Sequence, residues 1–457
     1  MLISKEIFRA YDIRGIVDIQ LNADTIYLLG QAIGTEVLAQ GGNTIITGRD
    51  GRLSGPVLLA ALQQGLLSTG CDIIDIGMVP TPVLYFATHT LKSNSGSMLT
   101  GSHNPANYNG IKPVINGRSL TPESLLKLYD CIQNKAFSTG QGSLTTTDVT
   151  ENYLSHITDH IKLKRPVKLV IDCANGATGN IAPELFSRLG CDVIPMYTEV
   201  DGRFPNHHPD PSAPENLQDL IVRVRTEKAD LGFAFDGDGD RLGVVTNEGE
   251  IIWPDRQLAF FAKDILSRHP GTPVVYDVKC SSHLTNIVKQ CGGQPIMYKT
   301  GHSLIKNKMI EEKALLSGEM SGHIYFKERW FGFDDGLYTG ARLLEIFTAQ
   351  SLSSADLFRT IPSGVNTPEL KLAMNEDLKF GFIDTLVKNA DFPDAEMTTI
   401  DGLRVDFEDG WGLVRASNTT PHLILRFEAI NQASLDRIKA VFRDLLLAQD
   451  KTLKLPF

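Results

Sequence analysis

A strand rich in β-branched residues, a helix and a second strand recur three times along this 457-residue chain. The first set reads as strand 43–47, helix 55–70 and strand 71–76. The second reads as strand 167–172, helix 181–190 and strand 191–197, the third as 273–278, 282–291 and 295–299. Tandem alternation of this kind predicts parallel sheets with helices on both faces. Each unit then reaches a further strand that runs into a polar, glycine-containing loop: SMLTGSHNP at 97–105, LGFAFDGDGDR at 231–241 and ALLSGEMSGH at 314–323. The units are too diverged to match by residue identity, but their loops fall in corresponding places. Ligands of open α/β sheets bind beyond the carboxyl ends of the strands, so the three loops are expected to converge on one central cleft.

Residues 363–457 break the pattern. They give short strands, one at 423–427, and a helix with Leu435, Ile438, Val441, Phe442 and Leu445 on one face and Ser434 as its expected N-cap. The expected architecture is three tandem α/β domains with mixed or parallel sheets of similar topology, at 1–147, 148–250 and 251–362. A smaller α+β domain follows at 363–457. A net charge of -10 disfavours nucleic acid or an anionic membrane as partner. It leaves open an anionic small molecule held by local cations. The six cysteines are scattered without a CxxC pair and read as reduced thiols. The first residues lack the apolar run of a signal peptide, and no uncharged apolar stretch reaches the roughly 18 residues of a membrane span. Cytoplasm is the expected compartment, and no obligate protein partner is evident.

Three carboxylates alternate with glycine in Asp236, Asp238 and Asp240. Charges this close repel unless a cation sits among them. The intervening glycines let the backbone turn so that all three face one ion, and hard oxygen ligands select Mg²⁺, Mn²⁺ or Ca²⁺. An EF-hand loop is excluded, because its sixth position would be Arg241 rather than Gly and its twelfth Asn247 rather than Glu. Arg241 suits a phosphate beside the ion. In TGSHNP, Gly101 permits a tight turn and Pro105 fixes the exit, leaving Ser102 at a loop tip. Taken singly, Ser102 reads as a turn residue and His103 as a loop histidine. No GxSxG elbow accompanies them.

Together, TGSHNP followed by Asn107, Gly110 and Lys112, and DGDGDR, resemble the signature loops of the α-D-phosphohexomutase family. GEMSGH resembles that family's sugar-binding loop, in the form of the bacterial phosphomannomutase/phosphoglucomutase branch. A glucosamine-specific branch is expected to carry Gln at Met320. RASNTT at 415–420 resembles the phosphate loop of the family's fourth domain, and YDIRG at 11–15, Lys279 and TGHS at 300–303 also fit. The resemblance covers the whole chain in order. It implies a phosphoserine at Ser102 that binds Mg²⁺ together with Asp236, Asp238 and Asp240. It also implies a hexose 1,6-bisphosphate that serves as activator and as an intermediate turning over in the cleft. Mannose 6-phosphate and glucose 6-phosphate would be interconverted with their 1-phosphates. Arg415, Ser417, Asn418 and Thr419 would bind the distal phosphate, and Glu319 and Ser321 the sugar hydroxyls. Tyr11 and Arg14 would shape the floor. Ser102, His103, Lys112, Arg241, Lys279 and His302 would form the catalytic group. Proton transfer or phosphate contact stays open among Lys112, Lys279, His302 and His323.

The alternative within the family is a glucosamine or N-acetylglucosamine phosphate mutase, which Met320 opposes. A metal-dependent serine phosphatase would not need the 415–420 loop, and a non-catalytic sensor would not need the complete serine and aspartate set. Two further features read as structural. His207 and His208 are adjacent and point apart on an extended segment. NGATG at 175–179 lacks the Gly-Lys-Ser/Thr ending of a P-loop.

Overall fold

The computed structural model describes residues 3–10, 12–91, 93–418 and 420–457. Tyr11 and Thr419, both expected at the site, lie outside the described residues. In the first unit, strand Asp72–Met78 lies beside Thr44–Arg49, which lies beside Gly96–Leu99, all parallel; Tyr108–Ile115 then pairs antiparallel with Gly96–Leu99. The second unit repeats that order with Cys191–Met196, Val167–Asp172, Leu231–Phe235 and the antiparallel Leu242–Thr246. Gln294–Tyr298, Pro273–Asp277, Leu316–Gly318 and the antiparallel Ile324–Phe326 repeat it again in the third. One topology is therefore used three times. Each polar loop is the reversal from the third parallel strand into the antiparallel fourth, so equivalent positions of three sheets supply the site.

The C-terminal domain is a six-stranded sheet in which every pair is antiparallel, with Lys379–Asn389 and Gln432–Gln449 as its helices. The last helix begins earlier than its sequence suggests. Asn431, extended at φ -155°, accepts from Ser434 N at 2.9 Å and is the N-cap, which places Ser434 inside the first turn. The buried stripe is Leu435, Ile438, Phe442 and Leu446, with Val441 and Leu445 half-buried at its margin.

One continuous apolar core runs through the first three units, joining Val83 and Phe86 to Leu169 and Phe233 and on to Leu258 and Tyr276. Helix Gly336–Thr348 follows the third loop in sequence and lies between the second and third sheets, with Tyr338 edge-on to Phe326 of the third. A Cβ on Gly340 would stand 2.9 Å from Phe186 and 3.0 Å from Phe233. The fourth domain has its own core around Leu403, Val414, Phe427 and Phe442. It meets the third through Trp411 and Leu413 against Val278, and through Arg404, which donates to Val278 O (2.7 Å) and Cys280 O (2.6 Å). All six cysteines are free thiols. No described helix is long and apolar enough to cross a membrane.

Candidate active site

The 100–105 loop leaves the strand Gly96–Leu99 at its carboxyl end. Ser102 takes a left-handed φ of 48° and is buried, with its Oγ donating to Asp236 Oδ2 at 2.8 Å and lying 3.2 Å from His103 Nδ1. Such a backbone is sparsely populated for serine and persists only where its surroundings hold it. They do so from several sides. Ser102 N donates to Thr100 Oγ1 (2.8 Å), and Asp50 Oδ2 accepts from Thr100 Oγ1 and Gly101 N, both at 2.9 Å. Burial, reinforced by Arg241, pushes the His103 imidazole well below its ordinary value, which keeps it neutral beside Ser102.

The aspartate loop follows the buried strand Leu231–Phe235, and all three carboxylates are buried. The loops touch: a Cβ on Gly237 would lie 2.5 Å from Ser102 O. Lys112, on Tyr108–Ile115, places Nζ 2.8 Å from Asp238 Oδ2 and 2.5 Å from Asp240 Oδ2. Thr81 Oγ1 donates to Asp238 at 2.6 Å. Burial, and then repulsion from Asp238 and Asp240, push Asp236 well above the carboxylate range. Asp238 is held below that range, because Lys112 and Thr81 outweigh its burial. Ligand oxygens of the three lie within 4.8 Å of one another, and Oδ1 of both Asp238 and Asp240 is buried without a hydrogen-bond partner. Unspent hard oxygens around a concentration of negative charge fit a divalent cation. The triad can therefore hold a metal ion.

From the triad a polar chain crosses into the third unit. Arg241 Nε lies 4.0 Å from Asp236 Oδ2 and donates to His323 Nε2 at 3.0 Å; His323 Nδ1 lies 2.9 Å from Asp334 Oδ2, and Lys306 donates to Asp334 Oδ1 at 3.0 Å. His302 opens helix His302–Glu311 with its ring 5.7 Å from that of His323, and burial with Lys306 nearby keeps it well below its ordinary value. Glu319 N donates to His323 O at 2.9 Å. Its carboxylate accepts from Gly301 N (2.7 Å) and Tyr325 OH (2.9 Å), and burial raises it. Ser321 sits half-buried in the same turn.

The fourth domain closes the chain of contacts. Asp401 Oδ2 accepts from Thr300 N at 2.9 Å and from Arg415 Nε at 3.0 Å. Ser417 Oγ accepts from Thr420 N at 3.1 Å, and Asn418 is half-buried beside it. Lys279 donates to Glu369 of the fourth domain at 2.6 Å; burial opposes its charge, but Glu369 and Asp277 hold it above the usual lysine range. Arg14, on Ile13–Ile16, pairs with Asp12 and is buried against Gly110 of the neighbouring strand. All of the described residues expected at the site thus fall in one connected region fed by four domains.

Sequence reasoning missed Asp50, Arg52, Thr81, Lys306, Asp334, Glu369 and Asp401. A signal existed for two of them. Asp50 and Arg52 follow Thr44–Arg49 at its carboxyl end, where α/β sheets place functional groups. His207 Nε2 lies 2.9 Å from Asp172 Oδ2. NGATG supports the aspartate loop from below, with Ala177 N donating to Gly237 O at 3.0 Å.

Comparison with known proteins gives the same organisation. Family models described as phosphoglucomutase/phosphomannomutase alpha/beta/alpha domains I, II and III match residues 5–139, 151–249 and 253–363, and the C-terminal domain model matches 369–445. A phosphomannomutase/phosphoglucomutase of Pseudomonas aeruginosa is 55% identical over 451 residues, 99% of this chain and 97% of its own length. A phosphoglucomutase of Neisseria meningitidis is 50% identical over 448 residues, covering 97% of each. The crystal structure of a phosphoglucomutase/phosphomannomutase family protein from Burkholderia thailandensis superposes with a TM-score of 0.95 at 51% identity, over 100% of both chains. With its four domains matched in order and about half of its residues shared along the whole length, the chain belongs to the phosphoglucomutase/phosphomannomutase family.

Proposed function

We propose that the chain interconverts glucose 6-phosphate with glucose 1-phosphate, and mannose 6-phosphate with mannose 1-phosphate, through a phosphoserine at Ser102 and a hexose 1,6-bisphosphate. The observation that carries this reading is the Ser102 hydroxyl, buried and 2.8 Å from the triad carboxylate Asp236, in a chain whose full-length relatives bear these activities in their names. Asp236, Asp238, Asp240 and Ser102 would hold Mg²⁺, which when bound neutralises charge on a transferring phosphoryl group. Ser102 passes its phosphoryl to the free hydroxyl of the sugar phosphate and takes back the other phosphate after the bisphosphate turns over. A mutase needs one fixed donor and a distal site indifferent to which end it holds. Arg415, Ser417, Asn418 and Thr419 serve as that site, and Lys279 adds a cation. Glu319 and Ser321 hold hydroxyls that glucose and mannose share, with His323 beside them. Lys112, His302, His323 and Lys279 remain the candidates for moving the hydroxyl proton. Arg14 shapes the floor, a role the family resemblance would share with Tyr11, and His103, neutral, borders the Ser102 hydroxyl. The partners on this reading are small hexose phosphates of the cytoplasm.

A coupled assay on glucose 1-phosphate and mannose 1-phosphate, with a trace of bisphosphate, tests this together with peptide mapping of the phosphate. Phosphate on Ser102 and comparable efficiency for the two sugars are expected. Full turnover by Ser102→Ala overturns the serine's role. A preference above about a hundredfold, equal to about 2.7 kcal/mol, would mean that some group reads C2 and that the Glu319–Ser321 assignment is wrong.

A further inference from the structure

We infer that Arg52 is the positioning residue of the nucleophile loop, gripping its backbone from behind so that the Ser102 hydroxyl is held against Asp236; this rests on Ser102 being the phosphate carrier. Arg52 is 1% exposed. Its Nη1 donates to Pro105 O (2.6 Å) and Tyr108 O (2.8 Å), and its Nη2 to Ser102 O (2.8 Å) and Asn104 O (2.6 Å). One guanidinium therefore satisfies four carbonyls across the turn. The loop lies flat on it: a Cβ on Gly101 would stand 1.9 Å from Arg52 Nε and 2.0 Å from its Cζ. The second unit closes over the same side chain, with Gly202 against the Arg52 backbone and the Phe204 ring 5.3 Å from its Cζ.

Stability alone is a poor reason for this arrangement. Burying an arginine costs much of what its contacts return, and well-packed apolar replacements commonly match buried ion pairs. Here burial lowers the proton affinity of Arg52, and the one carboxylate in salt-bridge contact, Asp50, lies 3.3 Å from Nε. What the rigid fork supplies is geometry. Carbonyl oxygens turned toward a cation are turned away from the face where a phosphoryl dianion must sit. Asp50 completes the grip by taking Gly101 N and the Thr100 hydroxyl. Without the fork, the left-handed turn at Ser102 has fewer contacts to hold it.

Arg52→Lys keeps the charge but cannot bridge four carbonyls. Its kcat is expected to fall about a hundredfold, the scale of a misplacement near 1 Å. The KM for glucose 1-phosphate should stay within about threefold, because the sugar and distal phosphate are held by other units. Single-turnover transfer from enzyme already phosphorylated on Ser102 should slow by the same factor, at temperatures far below Tm. A kcat within threefold of the parent overturns the inference. So does a deficit that disappears on cooling, which would mark a merely structural role. If Arg52→Lys does not fold, Phe204→Ala decides, with a fall of about tenfold in the transfer step expected and an unchanged step overturning the inference. Peptide mapping of the parent separates the two layers. A parent that turns over without phosphate on Ser102 removes the underlying reading. A phosphorylated parent with a fast Arg52→Lys removes only the positioning role.

Discussion

Asp236, Asp238 and Asp240 crowd three carboxyl groups into a buried space where, among the described residues, Lys112 is the one cation within salt-bridge range of two of them. A divalent ion bound there should stabilise the fold by mass action. Mg²⁺ is therefore expected to raise the Tm of the parent and to raise that of Asp240→Asn far less, with activity falling in parallel. Equal Mg²⁺-induced shifts in a thermal scan would remove the triad as the metal site. A second residue-scale contest involves Lys279. Glu369, about a third of its side chain exposed and drawn down to about 2 by Lys279, occupies the ammonium that the proposed reading gives to a phosphate. Removing a competing carboxylate should favour the substrate, so Glu369→Gln is expected to lower KM by about three- to tenfold, up to about 1.4 kcal/mol. A raised KM in steady-state assays would show instead that Glu369 orients Lys279.

At the scale of elements, helix Gly336–Thr348 begins at Asp335, whose carboxylate accepts from Tyr338 N and, at 2.9 Å, from Tyr153 OH of the second unit. Burial pushes this carboxyl up to about 7 despite those donors. Unfolded, it titrates near 3.9. Between those values the folded chain binds the extra proton, so the contribution of Asp335 to stability falls as pH rises from about 4 to about 7. Asparagine keeps the cap and the tyrosine contact without ionising. The Tm of Asp335→Asn relative to the parent should therefore rise between pH 5 and pH 8. A difference that stays constant in melts across that range would contradict the shifted carboxyl.

Across the whole molecule, one apolar core spans three units beside a second core within the first, while the fourth grips the segment at Val278–Cys280 with Arg404 and Arg426. Arg415 is linked to the Thr300 loop through Asp401, so on the proposed reading the distal phosphate site depends on how the fourth domain sits. Arg415→Ala is expected to raise KM by about tenfold or more, the loss of a charge-assisted contact. It should also increase escape of the bisphosphate to solvent while Ser102 stays phosphorylated. Steady-state kinetics and assay of released bisphosphate check this; no change in either would exclude the 415–420 loop as the clamp. Substrate should also make the particle more compact in solution scattering, because closure of that domain excludes water.

The tandem strand–helix–strand order, the separate α+β tail and the loops around Ser102, Asp236 and Glu319 were legible because each is written in contiguous residues. Periodicity and short motifs are local properties. For Arg52 the place after a strand was a signal, but its task was not legible: an arginine in RDGR reads equally as a solvated turn. Its four carbonyl partners lie some fifty residues away in sequence. Glu369, Asp401 and Asp334 were hidden for the same reason, since ordinary carboxylates acquire their roles only when residues distant in sequence fold against them. Even the place of Gly336–Thr348 between the second and third sheets could not be read from its pattern. Amphipathic spacing shows that a helix must bury a face, but the surface that covers it is decided by long-range packing.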